Sequence, residues 1–191
     1  PYHARAMGNP LHERRTAAEW SAASQVIEIA EKIGVFEQLS VVVKNDLETL
    51  DAEKLPAVWR DTQVTGRLEF GFAVAQRKLP RVRCRVATNA YAVCQRCLEP
   101  FRLPLESEAN LLLLDVEQDA DGYDDHEVWE LEERLLRPTD IVEELLIMAL
   151  PFSAMHAESA ACRTLSVETG DNAEKVTTPF AALREQMAKD N

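Results

Sequence analysis

Four side chains at two places in this chain can do chemistry together. Cys94-Gln95-Arg96-Cys97 is a C-x-x-C turn. Such a turn holds two sulfurs on one tight loop, so both can face one ion or form one reactive pair. His156 and Cys162 follow the apolar run Ala149-Leu150-Pro151-Phe152 and offer an imidazole and a further thiol. Zinc takes four nitrogen or sulfur ligands in a tetrahedron, so Cys94, Cys97, His156 and Cys162 are the candidate set and zinc the candidate cofactor. Their wide separation makes this a tertiary site, which spacing alone does not confirm. Two other readings stand beside it. A redox pair needs the C-x-x-C at the N-terminus of a helix, where the dipole lowers the thiol pKa, but here Pro100 and an alternating segment follow. The plainest reading is thiols used for packing, and Cys84 belongs there because it falls on the buried face of a strand.

A second group is basic. Arg81, Arg83 and Arg85 project from one face of an alternating segment, with Arg67 on the neighbouring one, Arg77 and Lys78 in the turn between, and Tyr91 and Arg96 further along. Guanidinium groups on an open sheet face can hold phosphates while a tyrosine stacks on a base, which makes these eight the candidate RNA-binding set. The alternative is a solvated face whose arginines pair with Glu69 and nearby acids. Hydrolytic chemistry has no support: G-x-S-x-G, H-E-x-x-H, Walker A and G-x-G-x-x-G are all absent.

The chain of 191 residues carries a formal charge of −12, which opposes bulk electrostatic binding to nucleic acid or to an anionic membrane. Four cysteines are few for a disulfide scaffold, and a C-x-x-C without a secretory signal fits a reducing compartment. No apolar run reaches the roughly 18 residues of a membrane span. The expectation is a soluble, cytoplasmic protein with no membrane partner.

These residues must be positioned by a sheet. Val64, Leu68, Phe70 and Phe72 alternate with polar residues, and Val82, Cys84, Val86, Thr88, Ala90 and Ala92 do the same, so the two segments read as a long antiparallel hairpin. Gln76 to Pro80 is its turn. Cys94 to Pro100 is a second turn, and Phe101 to Leu114 a third strand, which puts the C-x-x-C on the tip between two strands. Glu127 to Leu131 reads as a short strand. The acidic stretch 115–127 reads as a solvated loop, since its glycine comes too early for an EF-hand. Residues 139–150 form an apolar helix, with Asp140 and Glu143 as a capping box and Pro151 as a stop.

Before the sheet, Ala18, Ala22, Val26, Ile29 and Ile33 predict a helix over 16–34, Val35 to Val43 a strand, and Asp46 to Lys54 a helix. Residues 1–15 read as a flexible leader. Residues 16–156 form the core domain, and 157–191 a polar linker with a short helix over 179–189. The fold class is α+β: an antiparallel sheet with long hairpins, one apolar helix packed on it and short flanking helices.

The C-Q-R-C-L-E-P-F turn, the helix Asp140-Ile141-Val142-Glu143-Glu144-Leu145-Leu146-Ile147-Met148-Ala149-Leu150-Pro151, then His156 and Cys162, and the ending Pro179-Phe180-Ala181-Ala182-Leu183 resemble the YceD-like family, the large ribosomal RNA subunit accumulation proteins. The resemblance covers about residues 25–189. It implies an α+β domain and a non-enzymatic role in accumulation of large-subunit ribosomal RNA, through its synthesis, processing or stability. Some relatives carry a second cysteine pair after the helix, a zinc-like pattern, where this chain has His156 and Cys162. The implied partner is large-subunit ribosomal RNA or a pre-ribosomal particle. An adaptor that binds a basic ribosomal protein without touching RNA is the rival, and a thiol redox enzyme the remote one.

Overall fold

A computed structural model describes residues 9–74, 78–115, 118, 120, 122–156 and 162. The chain divides into two compact units, Pro1–Ala157 and Glu158–Asn191. The linker and C-terminal helix expected over 157–191, like residues 1–8 and Arg77, lie outside the described residues apart from Cys162.

The first unit is built on a five-stranded sheet of order β1-β2-β3-β4-β5. The strands are β1 (Val26–Lys32), β2 (Gln63–Val74), β3 (Lys78–Val93), β4 (Pro100–Asp115) and β5 (Glu127–Leu131). The first four pair antiparallel, and β5 runs parallel to β4. Three helices, α1 (Ala17–Ala22), α2 (Glu37–Leu47) and α3 (Pro138–Met148), contribute to one core with the sheet. This is the expected α+β class with a mostly antiparallel sheet.

Alternation placed β2, β3 and β4 because one face of each is buried. Val64, Leu68, Val82, Cys84, Val86 and Ala90 are all sealed from solvent. Gly66 sits opposite Val86 in the register. A Cβ there would come within 2.5 Å of the Arg85 carbonyl oxygen, so only glycine fits this close approach of two strands. Burial pushes the Cys84 thiol pKa up to about 12. Cys84 is therefore expected to resist thiol reagents at about pH 8 in the native protein and to react only on unfolding. Labelling followed by mass spectrometry checks this.

The opposite face carries a second small cluster of Ala73, Leu79, Leu112, Leu114 and Tyr123. It corrects two expectations. Pro80 lies inside β3, opposite Phe72 and beyond the reach of β4, so its missing N–H breaks no ladder there. The acidic stretch is also not wholly solvated, because Tyr123 within it is buried.

The N-terminal third differs most from its sequence reading. In place of one helix over 16–34 there is α1, capped by the reciprocal Thr16–Glu19 box, and then β1. Ile27 and Ile29 are buried while Glu28 is exposed, which is a strand's period of two. The expected strand 35–43 is mostly α2. Leu39, Val43 and Leu47 are buried at four-residue spacing while Val41 is exposed, so the period is helical despite the β-branched residues. Beyond Leu47, the helix expected to reach Lys54 gives way to turns.

Residues 9–15 are also no flexible leader. A 3-10 turn over Pro10–His12 buries Leu11, and Arg15 exchanges backbone hydrogen bonds with Leu136 at 3.2 and 2.8 Å. Trp20 is fully buried, stacks on Phe70 with ring centroids 5.2 Å apart, and donates its indole N–H to the Leu136 carbonyl at 3.3 Å.

The helix α3 starts at Pro138, so Asp140 is not its cap; Asp140 pairs with Arg137 at 2.9 Å. Glu143 does something else. The cap position of α2 is Phe36, which has no side chain to satisfy the first amides. The buried Glu143 carboxylate reaches across and accepts from the N–H groups of Gln38 at 2.7 Å and Leu39 at 3.4 Å. Burial holds its pKa above the ordinary value and outweighs those two amides, which pull it down. The folded state therefore binds this proton more tightly than the unfolded chain. The group's contribution to stability falls as pH rises from the ordinary carboxylate range through the folded-state pKa. Glu143→Ala is expected to cost about 2 kcal/mol in urea unfolding. Glu143→Gln, which keeps an acceptor, should cost less and lose that pH dependence.

Candidate metal centre

The C-x-x-C tip is a specific backbone structure. The Cys94 N–H donates to the Glu99 carbonyl at 3.0 Å, and the Leu98 N–H to the Cys94 carbonyl at 2.9 Å. Closing so tight a loop places Leu98 at φ 54°, in the left-handed region where most residues are strained. Below the tip, Asp46 at the end of α2 accepts from the Val93 N–H at 2.7 Å, which fixes the residue before Cys94.

The segment leaving α3 returns to this tip. The Gln95 N–H donates to the Ala154 carbonyl at 2.9 Å. His156 Nε2 lies 3.1 Å from Cys97 Sγ, and its ring meets Phe101 edge-on at 5.3 Å. The ligand atoms of Cys94, Cys97 and His156 all fall within 4.8 Å of one another. A zinc ion with bonds of about 2.0 to 2.3 Å spaces its ligands roughly 3.5 to 3.8 Å apart, so three donors are already gathered to within about one ångström of that geometry.

The electrostatics suit a cation. Burial opposes ionisation of Cys94, but the backbone amides of Cys97, Arg96 and His156, with the Cys97 side chain, bring its pKa down to about 6. Amides aimed at a sulfur stabilise the thiolate, the form that binds metal. These are loop amides, and strand β4 follows the turn. The helix N-terminus of a thioredoxin-type pair is not there, so the redox reading gains no support. Cys162, the one described residue of the second unit, is a buried thiol.

The candidate RNA-binding residues are dispersed. Arg67, Arg81, Arg83 and Arg85 share the sheet face away from the main core, and Arg67 stands directly opposite Arg85. Much of that charge is neutralised. Arg67 pairs with Glu28 at 2.5 Å and Glu69 at 2.6 Å, and Arg85 pairs with Glu108 at 2.8 Å. Tyr91 lies under the Arg102 guanidinium at 4.0 Å. Lys78 lies over Phe72. Arg96 stands apart on the tip, 4.0 Å from Met155 Sδ.

Sequence reasoning passed over the residues around the tip. Leu98, Phe152 and Met155 are exposed, Phe152 completely. The available signal was an aromatic directly after the helix-stopping Pro151. Among the described residues no helix is long and apolar enough to cross a membrane.

Comparison with known proteins agrees with this picture. The family model described as large ribosomal RNA subunit accumulation protein YceD matches residues 82–185, which include most of β3, the tip, α3 and Cys162. A protein of Haemophilus influenzae named large ribosomal RNA subunit accumulation protein YceD is 34% identical over 149 residues, covering 76% of each chain. No solved structure matches the chain. Spanning more than half of the chain and backed by that relative, the match shows that this chain belongs to the YceD family of large ribosomal RNA subunit accumulation proteins.

Proposed function

We propose that this protein is a non-catalytic factor that raises the amount of large-subunit ribosomal RNA in the cytoplasm by presenting the β3–β4 tip to the pre-ribosomal particle. The observation that carries the reading is the return of the 150–156 segment to the C-x-x-C turn, in a chain whose family is named for this role. Zinc is the proposed clip. Cys94, Cys97 and His156 would hold it, and Cys162, six positions beyond His156 and within easy chain reach, would be the fourth ligand. The ion would supply cross-linking rather than reactivity.

The tip supplies what unpaired RNA needs. An exposed aromatic ring would give a stacking surface, and an exposed guanidinium on the C-x-x-C turn would hold a phosphate. Phe152 and Arg96 are those two groups. The sheet arginines would add less, because Arg67 and Arg85 already serve glutamates. The net charge of −12 favours an additional contact with a basic ribosomal protein.

In cells lacking their own copy of the gene, the wild-type chain is expected to restore the level of large-subunit relative to small-subunit ribosomal RNA. In vitro, Arg96→Ala with Phe152→Ala should weaken salt-dependent binding to large-subunit RNA by roughly tenfold. The triple Arg81, Arg83 and Arg85→Ala variant should weaken it less. Absence of salt-sensitive binding by the wild type would refute direct RNA contact.

A further inference from the structure

Beside β5 lies a groove of about 640 Å³. Val128 and Leu135 line it and are about half exposed, and Met148 from α3 is 71% exposed. Exposed apolar side chains gathered in one concavity mark a contact surface rather than scattered surface residues. The walls are acidic. Arg14 pairs with Glu133 at 3.5 Å and Arg137 with Asp140 at 2.9 Å. That leaves Glu130, Glu132 and Glu144, and among the described residues no cation lies within ion-pair distance of them.

Among the described residues the strand lining this groove is the last in the sheet, and no described strand pairs with its outer edge. Open edges invite pairing with another chain, and charges on them decide which chain is admitted. Here Glu127 and Glu130 sit on the strand itself and would repel an acidic partner and attract a basic one.

We infer that the β5 groove binds an extended, lysine- and arginine-rich protein segment that adds as a strand to β5 and sets alternate apolar side chains against Val128, Leu135 and Met148. This rests on the reading above, that the chain serves ribosome assembly, and names a partner chemistry for it. Main-chain bonds to the edge give affinity, the apolar sockets fix register, and the glutamates select the charge. RNA is excluded by the same glutamates, which would face its phosphates.

The probe is a fluorescein-labelled twelve-residue peptide that repeats lysine-valine-arginine-isoleucine; the control replaces each basic residue with glutamate. The wild-type full chain is expected to bind the basic peptide only, more weakly at higher salt, with slowed amide exchange over residues 127–131. Leu135→Asp with Met148→Asp, and separately Glu130→Lys with Glu144→Lys, should each weaken binding at least tenfold. These positions are exposed, and unchanged thermal melts confirm folding. Failure of the wild type to bind the basic peptide, equal binding by the variants, or protection of β5 by large-subunit RNA instead of peptide would overturn the inference. A groove variant that no longer binds peptide yet fully restores ribosomal RNA in cells would also overturn the groove while leaving the family role standing. Failure of the wild-type chain to restore it would count against that role itself.

Discussion

Removing metal from this protein is expected to lower its melting temperature by roughly 10 °C. Protein purified without chelator should contain close to one zinc per chain. The size of the effect follows from the loop that the proposed ion would close. Cys97 and His156 are separated by 59 positions. Cross-linking a loop of that length takes about 4 kcal/mol of entropy from the unfolded chain in the loop-closure model. For a domain of this size each kcal/mol moves the transition by roughly 2 to 4 °C. Single substitutions Cys94→Ser, Cys97→Ser, His156→Gln and Cys162→Ser should each abolish stoichiometric zinc and reproduce most of the shift, whereas Cys84→Ser should leave zinc in place. Metal analysis together with scanning calorimetry reads both quantities. Fully folded protein with zinc near zero would end the proposal, and a zinc-replete Cys162→Ser variant would remove Cys162 from the ligand set.

The second large effect lies at the other end of the chain. Trp20→Ala is expected to cost about 4 kcal/mol, read as a lower midpoint in urea at unchanged slope. The indole fills the space against Phe70, satisfies the Leu136 carbonyl and lies under the Arg15 guanidinium at 4.7 Å. Its loss would open a cavity and leave the Leu136 carbonyl with the Arg15 N–H, at 3.2 Å, in place of two donors. Trp20→Phe should recover part of the packing but not the hydrogen bond. Deleting residues 9–15 should act in the same direction, because Leu11 and the Arg15–Leu136 bridge seal the same region.

These two sites show what could be read from the sequence and what could not. The strands that carry the tip were legible because Val64 to Phe70 and Val82 to Ala92 bury one face only, and a period of two has no helical counterpart. The turn at Cys94 was legible from its residue types. Its neighbour was not: spacing cannot say that Ala154 and His156 come back to Gln95 and Cys97, and only the ligand chemistry of His156 and Cys162 and the family resemblance pointed there. The N-terminal third failed for a physical reason. Ala18, Ala22, Val26 and Ile29 satisfy a helical spacing, yet a six-residue helix and a strand divide them. Such short elements leave too few residues for either period to dominate. Val41 and Val42 suggested a strand by type, while the burial of Leu39, Val43 and Leu47 shows that position on the helix decided. The β5 groove was invisible, since it is assembled from a strand, a loop and a helix that share no local pattern.

Helix α2 is fastened at both of its ends. The Glu143 carboxylate clasps its first turn, and Asp46 in its last turn grips the Val93 amide next to Cys94. The eleven-residue helix thus forms a splint between the middle of α3 and the strand end that carries the cysteine knuckle. Unfastening the far end should therefore loosen the knuckle, which would show as faster amide exchange at Cys94 and Leu98 in Glu143→Ala.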